Sequence, residues 1–288
     1  MKSNILLLLF ITVLTSGVNA QPEADAHKIE FWKWHHSNPS IEISYGVSDI
    51  KFSGTDYKFA NTGLIELNLG YTYRKKSGFG KNILKYYNSF LFLSFNSTDN
   101  SAKKNSNGLN SNLWKFGLGN KSGYGISLGR SASILPYSST TFNWSNFKYD
   151  KADLVTFTGN PDEYYNTLDN IAGVFRFGSS FEGGINLHLT KGFSIQPKYE
   201  IADIFPRHLF GKQIMSSAIE YTGYNLLEFF TKRIIRNSPA AGTIVNFILL
   251  NAYEYGFYQL RKDKMNWPFT STAPLRYETF KLGMTFVF

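Results

Sequence analysis

The sequence of 288 residues contains no cysteine. This absence excludes disulfide bonds, thiol nucleophiles, thiolate metal sites and the modified cysteine of a lipoprotein. Long apolar runs are also scarce, because the run at residues 5–13 is well short of the roughly 20 residues that a membrane-spanning helix needs. Stability and chemistry must therefore come from other side chains.

The first 20 residues have the order of a secretory signal peptide. Lys2 precedes the apolar run, and small and polar residues follow it up to Ala20. This order predicts cleavage after Ala20, which leaves residues 21–288 as the mature domain. The composition favours β-structure, with 17% aromatic residues and 24 glycines, and the net charge of +9 suits anionic lipid better than nucleic acid in an exported chain.

Apolar and polar residues alternate with period two along most of the mature chain, as in strands with one apolar face. The match is weaker over 86–95, where Phe90 and Phe92 fall on the polar side, and residues 119–123 are interpreted as a tight turn. The predicted strands are 41–48, 65–73, 86–95, 113–118, 124–128, 175–189, 193–201 and 278–288.

The connections between these segments alternate in length. Short connections fall at 74–82, 119–123 and 190–192, whereas long ones include 131–170 and 205–274. In membrane barrels the turns on the periplasmic side are short and the outer loops are long. The alternation therefore predicts a closed sheet with its N-terminus on the periplasmic side.

The chain ends in the alternating segment KLGMTFVF, which includes Phe286 and Phe288. In this it resembles the transmembrane β-barrels of Gram-negative outer membranes, whose last strand commonly ends in an aromatic residue that the barrel-assembly machinery reads. The composition, rich in Asn, Lys and Tyr, is similar to that of proteins from the Bacteroidetes. The resemblance implies an all-β antiparallel transmembrane barrel in the cell outer membrane, with Phe286 and Phe288 as targeting residues. We expect about eight strands, with 10–12 as the alternative.

An eight-stranded barrel has an interior filled by side chains. The alternation turns a balanced set of charges inward, together with one histidine, and we interpret this set as a buried network that holds the walls together. The predicted lumen residues are Glu42, Glu66, Lys115, Arg176, Glu182, His188, Lys198, Glu200 and Lys281. The excess positive charge is then assigned to Lys75, Lys76, Lys103, Lys104 and the insert described below, where lipopolysaccharide phosphates are the expected counter-ions.

The functional motifs leave two alternatives beside a non-enzymatic barrel that serves structure, adhesion or the binding of lipids or a partner. His35-His36-Ser37-Asn38 resembles the His-x-Ser signature of outer-membrane lipid A deacylases, in which a histidine base activates a serine. A narrow passive porin needs ten or more strands, with residues 154–157 recruited as an extra hairpin. We expect no cofactor, no metal site and no nucleic-acid partner.

Residues 207–264 break the barrel pattern just before the last strand. Apolar residues recur at helical spacing, and Pro239 follows a break, so that the segment is predicted to form a helical hairpin. Because it leaves the barrel on the outer side, we expect it to cap the mouth, to lie in the outer-leaflet interface or to dock a protein partner. The alternative is a plug inside the lumen, for which eight strands leave little room.

Overall fold

The computed structural model describes residues 37–53, 58–102, 108–129, 131–150 and 168–288. The predicted signal peptide with Ala20, together with Lys103, Lys104 and residues 154–157, lies outside these ranges. The described chain forms a closed antiparallel barrel of eight strands in chain order.

The strands are longer than the predicted segments, at 12 to 17 residues each. They are β1 (Asn38–Phe52), β2 (Thr62–Lys76), β3 (Ile83–Ser97), β4 (Ser111–Ser127), β5 (Ser133–Tyr149), β6 (Phe175–His188), β7 (Phe193–Ile204) and β8 (Leu275–Val287). β1 pairs with β8 over thirteen residue pairs and closes the sheet. The prediction of eight strands is confirmed, and the alternative of 10–12 is wrong, because each strand is already paired on both sides.

The alternation of side chains explains why these segments become barrel strands. Ile43 and Leu67 point outward and are 53% and 39% exposed, whereas their neighbours Glu42 and Glu66 are buried inside. A soluble β-protein has the opposite arrangement, with apolar residues inside. An apolar outer face suits hydrocarbon, and closure leaves no strand edge with unpaired backbone groups. The fold therefore spans a membrane.

The fourth and fifth strands differ from the prediction. Residues 119–123 do not form a turn but lie within β4, and β5 lies in the segment that was predicted to be a long connection. Gly119 and Gly125 face the lumen, where a Cβ atom would come within 2.9 Å of Phe90 and 2.6 Å of Leu135, respectively. These glycines make room for large neighbouring side chains, and they do not mark a turn.

The lengths of the connections indicate which end of the barrel faces which side of the membrane. β2 joins β3, β4 joins β5 and β6 joins β7 through at most six residues, whereas the connections at the opposite end are longer. The start of β1 and the end of β8 lie at the end with the short connections. Because short turns are periplasmic in outer-membrane barrels, we call this the periplasmic end and the opposite one the outer end.

The predicted helical hairpin is present between β7 and β8. It consists of α1 (Phe210–Asn237) and α2 (Pro239–Leu260), and Pro239 occupies the start of α2, where its missing N–H costs no hydrogen bond. Within the described residues, neither helix taken by itself combines the length and the apolar character needed to cross a membrane. The hairpin packs along the outside of the barrel wall, mainly against β4, β5 and β6. The expectation that it caps the mouth is therefore wrong.

Candidate functional site

Eight charged side chains meet in the middle of the lumen, and we call them the lumen network. Each is at most 5% exposed, and they project from six different strands. The members are Glu42, Glu66, Lys115, Lys121, Glu182, Lys198, Glu200 and Lys281. Four carboxylates and four ammonium groups make the network neutral.

Lys198 of β7 lies at the centre of the network. Its Nζ forms ion pairs with a carboxylate oxygen of Glu42, with Glu66 at 3.4 Å and with Glu182 at 3.4 Å. These three carboxylates come from β1, β2 and β6, so that one lysine links four strands across the lumen.

Lys281 of β8 is the second centre. Its Nζ lies 3.1 Å from Glu66, 2.7 Å from Glu182 and 2.9 Å from Glu200. Lys115 of β4 completes this side of the network, with its Nζ 2.7 Å from Glu200. Shared carboxylates thus join the two centres into one connected set.

Lys121 belongs to the network although the sequence pattern placed it in a turn. Its Nζ donates to Glu42 at 2.6 Å and to Gln196 at 3.2 Å. The same ammonium lies 5.3 Å from the ring centre of Phe90 and 5.2 Å from that of Tyr137, which is the range of cation–π attraction. Phe90, which weakened the predicted third strand, is thus an inward-facing part of the lumen packing.

Buried charges are stable only when their partners and hydrogen bonds are supplied, and the network supplies both. A cavity of about 10 Å³, room for about one water molecule, lies beside Glu66, Phe92 and Lys281. The lumen network therefore fills the middle of the interior with linked side chains.

Two predicted lumen residues lie away from the network. Arg176 is partly exposed near the outer end of β6, and its Nη2 donates to the backbone oxygen of Asn170. His188 is buried at the periplasmic end of β6, and neither ring nitrogen has a hydrogen-bond partner among the described residues. The alternation along the strand predicted that these side chains face the lumen, but it did not predict how deep in the barrel they lie.

The predicted targeting residues lie at the periplasmic end. Phe286 points outward, and its ring centre is 5.3 Å from that of Phe193. Phe288 is 71% exposed, and its backbone N–H donates to the oxygen of Pro39 at 3.0 Å. Their role in targeting stays a prediction.

The histidine–serine motif lies at the edge of the described chain. His35 and His36 fall outside it, whereas Ser37 directly precedes β1 and Asn38 begins the strand at the periplasmic end. Among the described residues, no group of three or more histidines, aspartates and glutamates could hold a metal ion.

A second candidate site is the contact between the helical hairpin and the outer wall. Here the outward positions of β5 and β6 include small residues: Ser138 and Gly183, which are opposite each other in the register, and Ser179, which lies four residues from Gly183 on the same face. Asn251 of α2 donates to the hydroxyl oxygen of Ser138 at 3.1 Å, and the hydroxyl group of Tyr258 bonds that of Ser179 at 3.1 Å. The barrel thus offers polar partners to α2 at positions that would otherwise face lipid.

Both ends of the hairpin are fixed to the barrel. At the outer end, the buried pair of Arg276 and Asp203 joins β8 to β7 at 2.8 Å, and Arg276 also donates to the backbone oxygen of Tyr258. At the periplasmic end, Ile235 of α1 is fully buried in an apolar cluster with Ile83 and other wall residues. The hairpin therefore extends along the wall from one end to the other.

Polar contacts also hold the two helices together. Arg261 pairs with Glu220 at 2.8 Å, and Asn246 donates to the hydroxyl of Thr231 at 2.7 Å. Gly223 lies so close to the ring of Tyr253 that no Cβ atom would fit there without a shift. The hairpin is thus a packed unit with a polar interior.

These features define the class of the protein: it is a closed antiparallel β-barrel of eight strands with an apolar outer face, a charged lumen and a helical hairpin on its outer wall, the architecture of a membrane-spanning barrel. No protein-family model matches the chain, and no curated protein matches its sequence.

Solved structures of similar fold include small outer-membrane barrels. Neisserial surface protein A is 8% identical, with a TM-score of 0.39, over 87% of this chain and 97% of its own. Ail of Yersinia pestis is 10% identical, with a TM-score of 0.31, over 88% and 99% of the two chains. OprG of Pseudomonas aeruginosa is 12% identical, with a TM-score of 0.27, over 88% and 97%. Likenesses of this size assign no function to the chain.

Proposed function

We propose that the protein is a non-enzymatic structural barrel whose lumen passes no solute and whose outer wall, with the helical hairpin, contacts lipid. The observation that carries the proposal is the lumen network, which crosses the interior between six strands. A conduction path needs a continuous polar opening, whereas the cavity beside the charges of Glu66 and Lys281 has room for about one water molecule.

Planar-bilayer recording tests the closed lumen. The full chain, reconstituted in the absence of detergent, should show no unit conductance steps, while an unrelated channel protein in the same bilayers serves as the positive control. Steady steps whose size or ion selectivity changes in the Glu66→Gln variant would show that ions pass the lumen network, and they would support the porin alternative instead.

Mass spectrometry of lipid A tests the enzymatic alternative. Cells with and without the protein should have the same lipid A acylation pattern. Loss of an acyl chain that depends on the protein, and that disappears in the Ser37→Ala variant, would support the deacylase-like function and contradict the proposal.

Lipid is the proposed environment of the outward side of the hairpin. That side exposes large apolar side chains, with Leu226 at 68% and Phe229 at 60% exposed, and it continues the apolar outer face of the barrel. Patches of this kind do not stay in water uncovered. The continuity with the outer face favours acyl chains as the cover, with lipopolysaccharide among the surrounding lipids.

A substitution at Gly183 tests whether the hairpin is a docked part of this surface. A Cβ atom on Gly183 would overlap the amide of Asn251, whereas one on Gly256 would have no neighbour within 4 Å. Leucine suits a lipid-facing strand, so Gly183→Leu should displace the hairpin and leave the barrel folded. Limited proteolysis should then cut near Ser238 in this variant but not in the matched Gly256→Leu variant. Equal protection in both variants would contradict the docking.

A further inference from the structure

The periplasmic rim of the barrel brings two basic segments together. One is the end of β2, the β2–β3 turn and the start of β3; the other is the tip of the helical hairpin. A Cβ atom on Gly80 of the turn would lie 3.4 Å from Pro239 at the start of α2, and Ile83 packs with Ile235 near the end of α1. The contact joins the charges of both segments into one surface, which we call the basic rim.

The basic rim has a large excess of positive charge. Its cations are Lys75, Lys76, Lys81, Lys85, Lys232, Arg233 and Arg236. Residues 75–85 contain no acidic residue, and over 228–237 the acidic residue is Glu228, which pairs with Lys232 at 2.9 Å. Arg74 adds a further cation on the lumen side of the same strand. Because this end is periplasmic, Lys75 and Lys76 do not face the leaflet that contains lipopolysaccharide, and the earlier assignment of these two lysines is corrected.

Two of these lysines stand directly opposite each other. Lys75 of β2 pairs in register with Lys85 of β3, and both point outward. Two lysines at opposite positions concentrate positive charge on this part of the wall.

The neighbouring residues of β2 and β3 show how deep in the membrane Lys75 and Lys85 lie. The next outward pair toward the membrane centre is Tyr73 with Tyr87, and Leu69 with Leu91 follows after one more pair. Tyrosines in this arrangement mark the interface between hydrocarbon and headgroups. Lys75 and Lys85 therefore lie at the level of the headgroups of the periplasmic leaflet.

We propose that the basic rim binds the phosphate headgroups of anionic phospholipids in the periplasmic leaflet. Lys75 and Lys85 approach a headgroup from the wall, and Arg233 and Arg236, both exposed, approach from the tip of α1. Guanidinium groups bind phosphate through two parallel hydrogen bonds, which lysine does not offer. This binding goes beyond the proposed function, which concerns the closed lumen and the apolar wall, and it does not depend on either.

Lipid association measured by electron paramagnetic resonance tests the proposal. The full chain is reconstituted in phosphatidylcholine vesicles that contain a trace of spin-labelled phosphatidylglycerol or spin-labelled phosphatidylcholine. We expect the motionally restricted fraction to correspond to a preference of about fivefold for phosphatidylglycerol, equivalent to about 1 kcal/mol. The preference should fall as salt is added. Equal association of the two lipids with the wild-type protein would overturn the proposal.

A rim variant and a matched control identify the surface. The rim variant replaces four cations with glutamine at Lys75, Lys85, Arg233 and Arg236. The control removes the same charge from exposed outer-end positions, with glutamine at Lys58, Lys148, Lys212 and Lys262. The preference should disappear in the rim variant and persist in the control, with both folded as judged by heat-modifiable migration in gels. A preference that survives in the rim variant, or one lost equally in both, would contradict the assignment, and the second outcome would indicate attraction by net charge alone.

Discussion

Replacement of Lys198 by methionine is the most direct test of the lumen network. The side chain of Lys198 is 0% exposed, and its ammonium pairs with Glu42, Glu66 and Glu182. Methionine is about as long and unbranched, so that the substitution removes the charge and leaves little empty volume. The variant would hold four buried carboxylates and three lysines.

The expected cost follows from the burial of the remaining charges. Removal of one partner from a buried ion pair costs about 3–5 kcal/mol, because the other charge is left without compensation. Lys121 and Lys281 still contact the carboxylates that Lys198 leaves, and we therefore expect the lower part of this range, about 3 kcal/mol. Lys51, whose side chain is half exposed in its pair with Glu278, is the control, and Lys51→Met should cost at most about 1 kcal/mol.

A second substitution separates charge from packing. Glu42→Gln in the Lys198→Met background restores neutrality, with three carboxylates and three lysines. The double variant should regain part of the lost free energy of unfolding, with a coupling of about 0.5–3 kcal/mol between the two positions. Urea titration of the folded barrel in lipid vesicles, followed by tryptophan fluorescence and gel migration, measures each free energy. Additive losses, or a Lys198→Met cost no larger than that of Lys51→Met, would refute the idea that charge balance stabilises the lumen.

Three further predictions concern the membrane placement. Leu91→Lys, at a position 64% exposed on the outer face, should lower the free energy of unfolding in lipid by about 2–4 kcal/mol, and Tyr73→Lys near the interface by at most about 1 kcal/mol; equal losses at both would contradict the assigned depth. Deletion of Phe288 should prevent assembly while export continues, and a normal heat-modifiable barrel in outer-membrane fractions would contradict its targeting role. Ser238→Cys, at the periplasmic tip of the hairpin, should react with an impermeant maleimide only after the periplasm is opened, whereas labelling of intact cells would invert the topology.

Most of the barrel could be predicted from the sequence, because lipid outside and charge inside impose a period of two on each strand. The alternation located seven of the eight strands, at least in part, and the charged residues identified four carboxylates of the lumen network. It failed at β4, where Gly119 and Gly123 read as turn residues. Their small size accommodates side chains and backbone of the adjacent strands β3 and β5, a requirement that depends on tertiary contacts and leaves no local signal.

The lumen network was predictable in charge but not in its full membership. Lys121 was missed because the glycines around it resembled a turn and concealed the strand. Arg176 and His188 were included because the alternation of side chains shows which face a residue is on but not how far along the barrel axis it lies. A register between neighbouring strands would have supplied this depth: Lys198 lies level with Lys281, whereas His188 lies level with Ser194, closer to the periplasm.

The hairpin shows how a departure from the barrel pattern can itself be informative. β5 escaped prediction partly because Ser138 stands where a lipid-facing strand would have an apolar residue, and Ser179 and Gly183 on β6 interrupt the apolar face in the same region. Hydrocarbon offers no partner to a hydroxyl group, so small and polar residues on the outer face of adjacent strands require a cover that can bond to them. α2 is that cover, through Asn251 and Tyr258. Two interruptions at the same level of neighbouring strands therefore predict a docked element, and the long insert before the last strand is the part of the chain that can reach them.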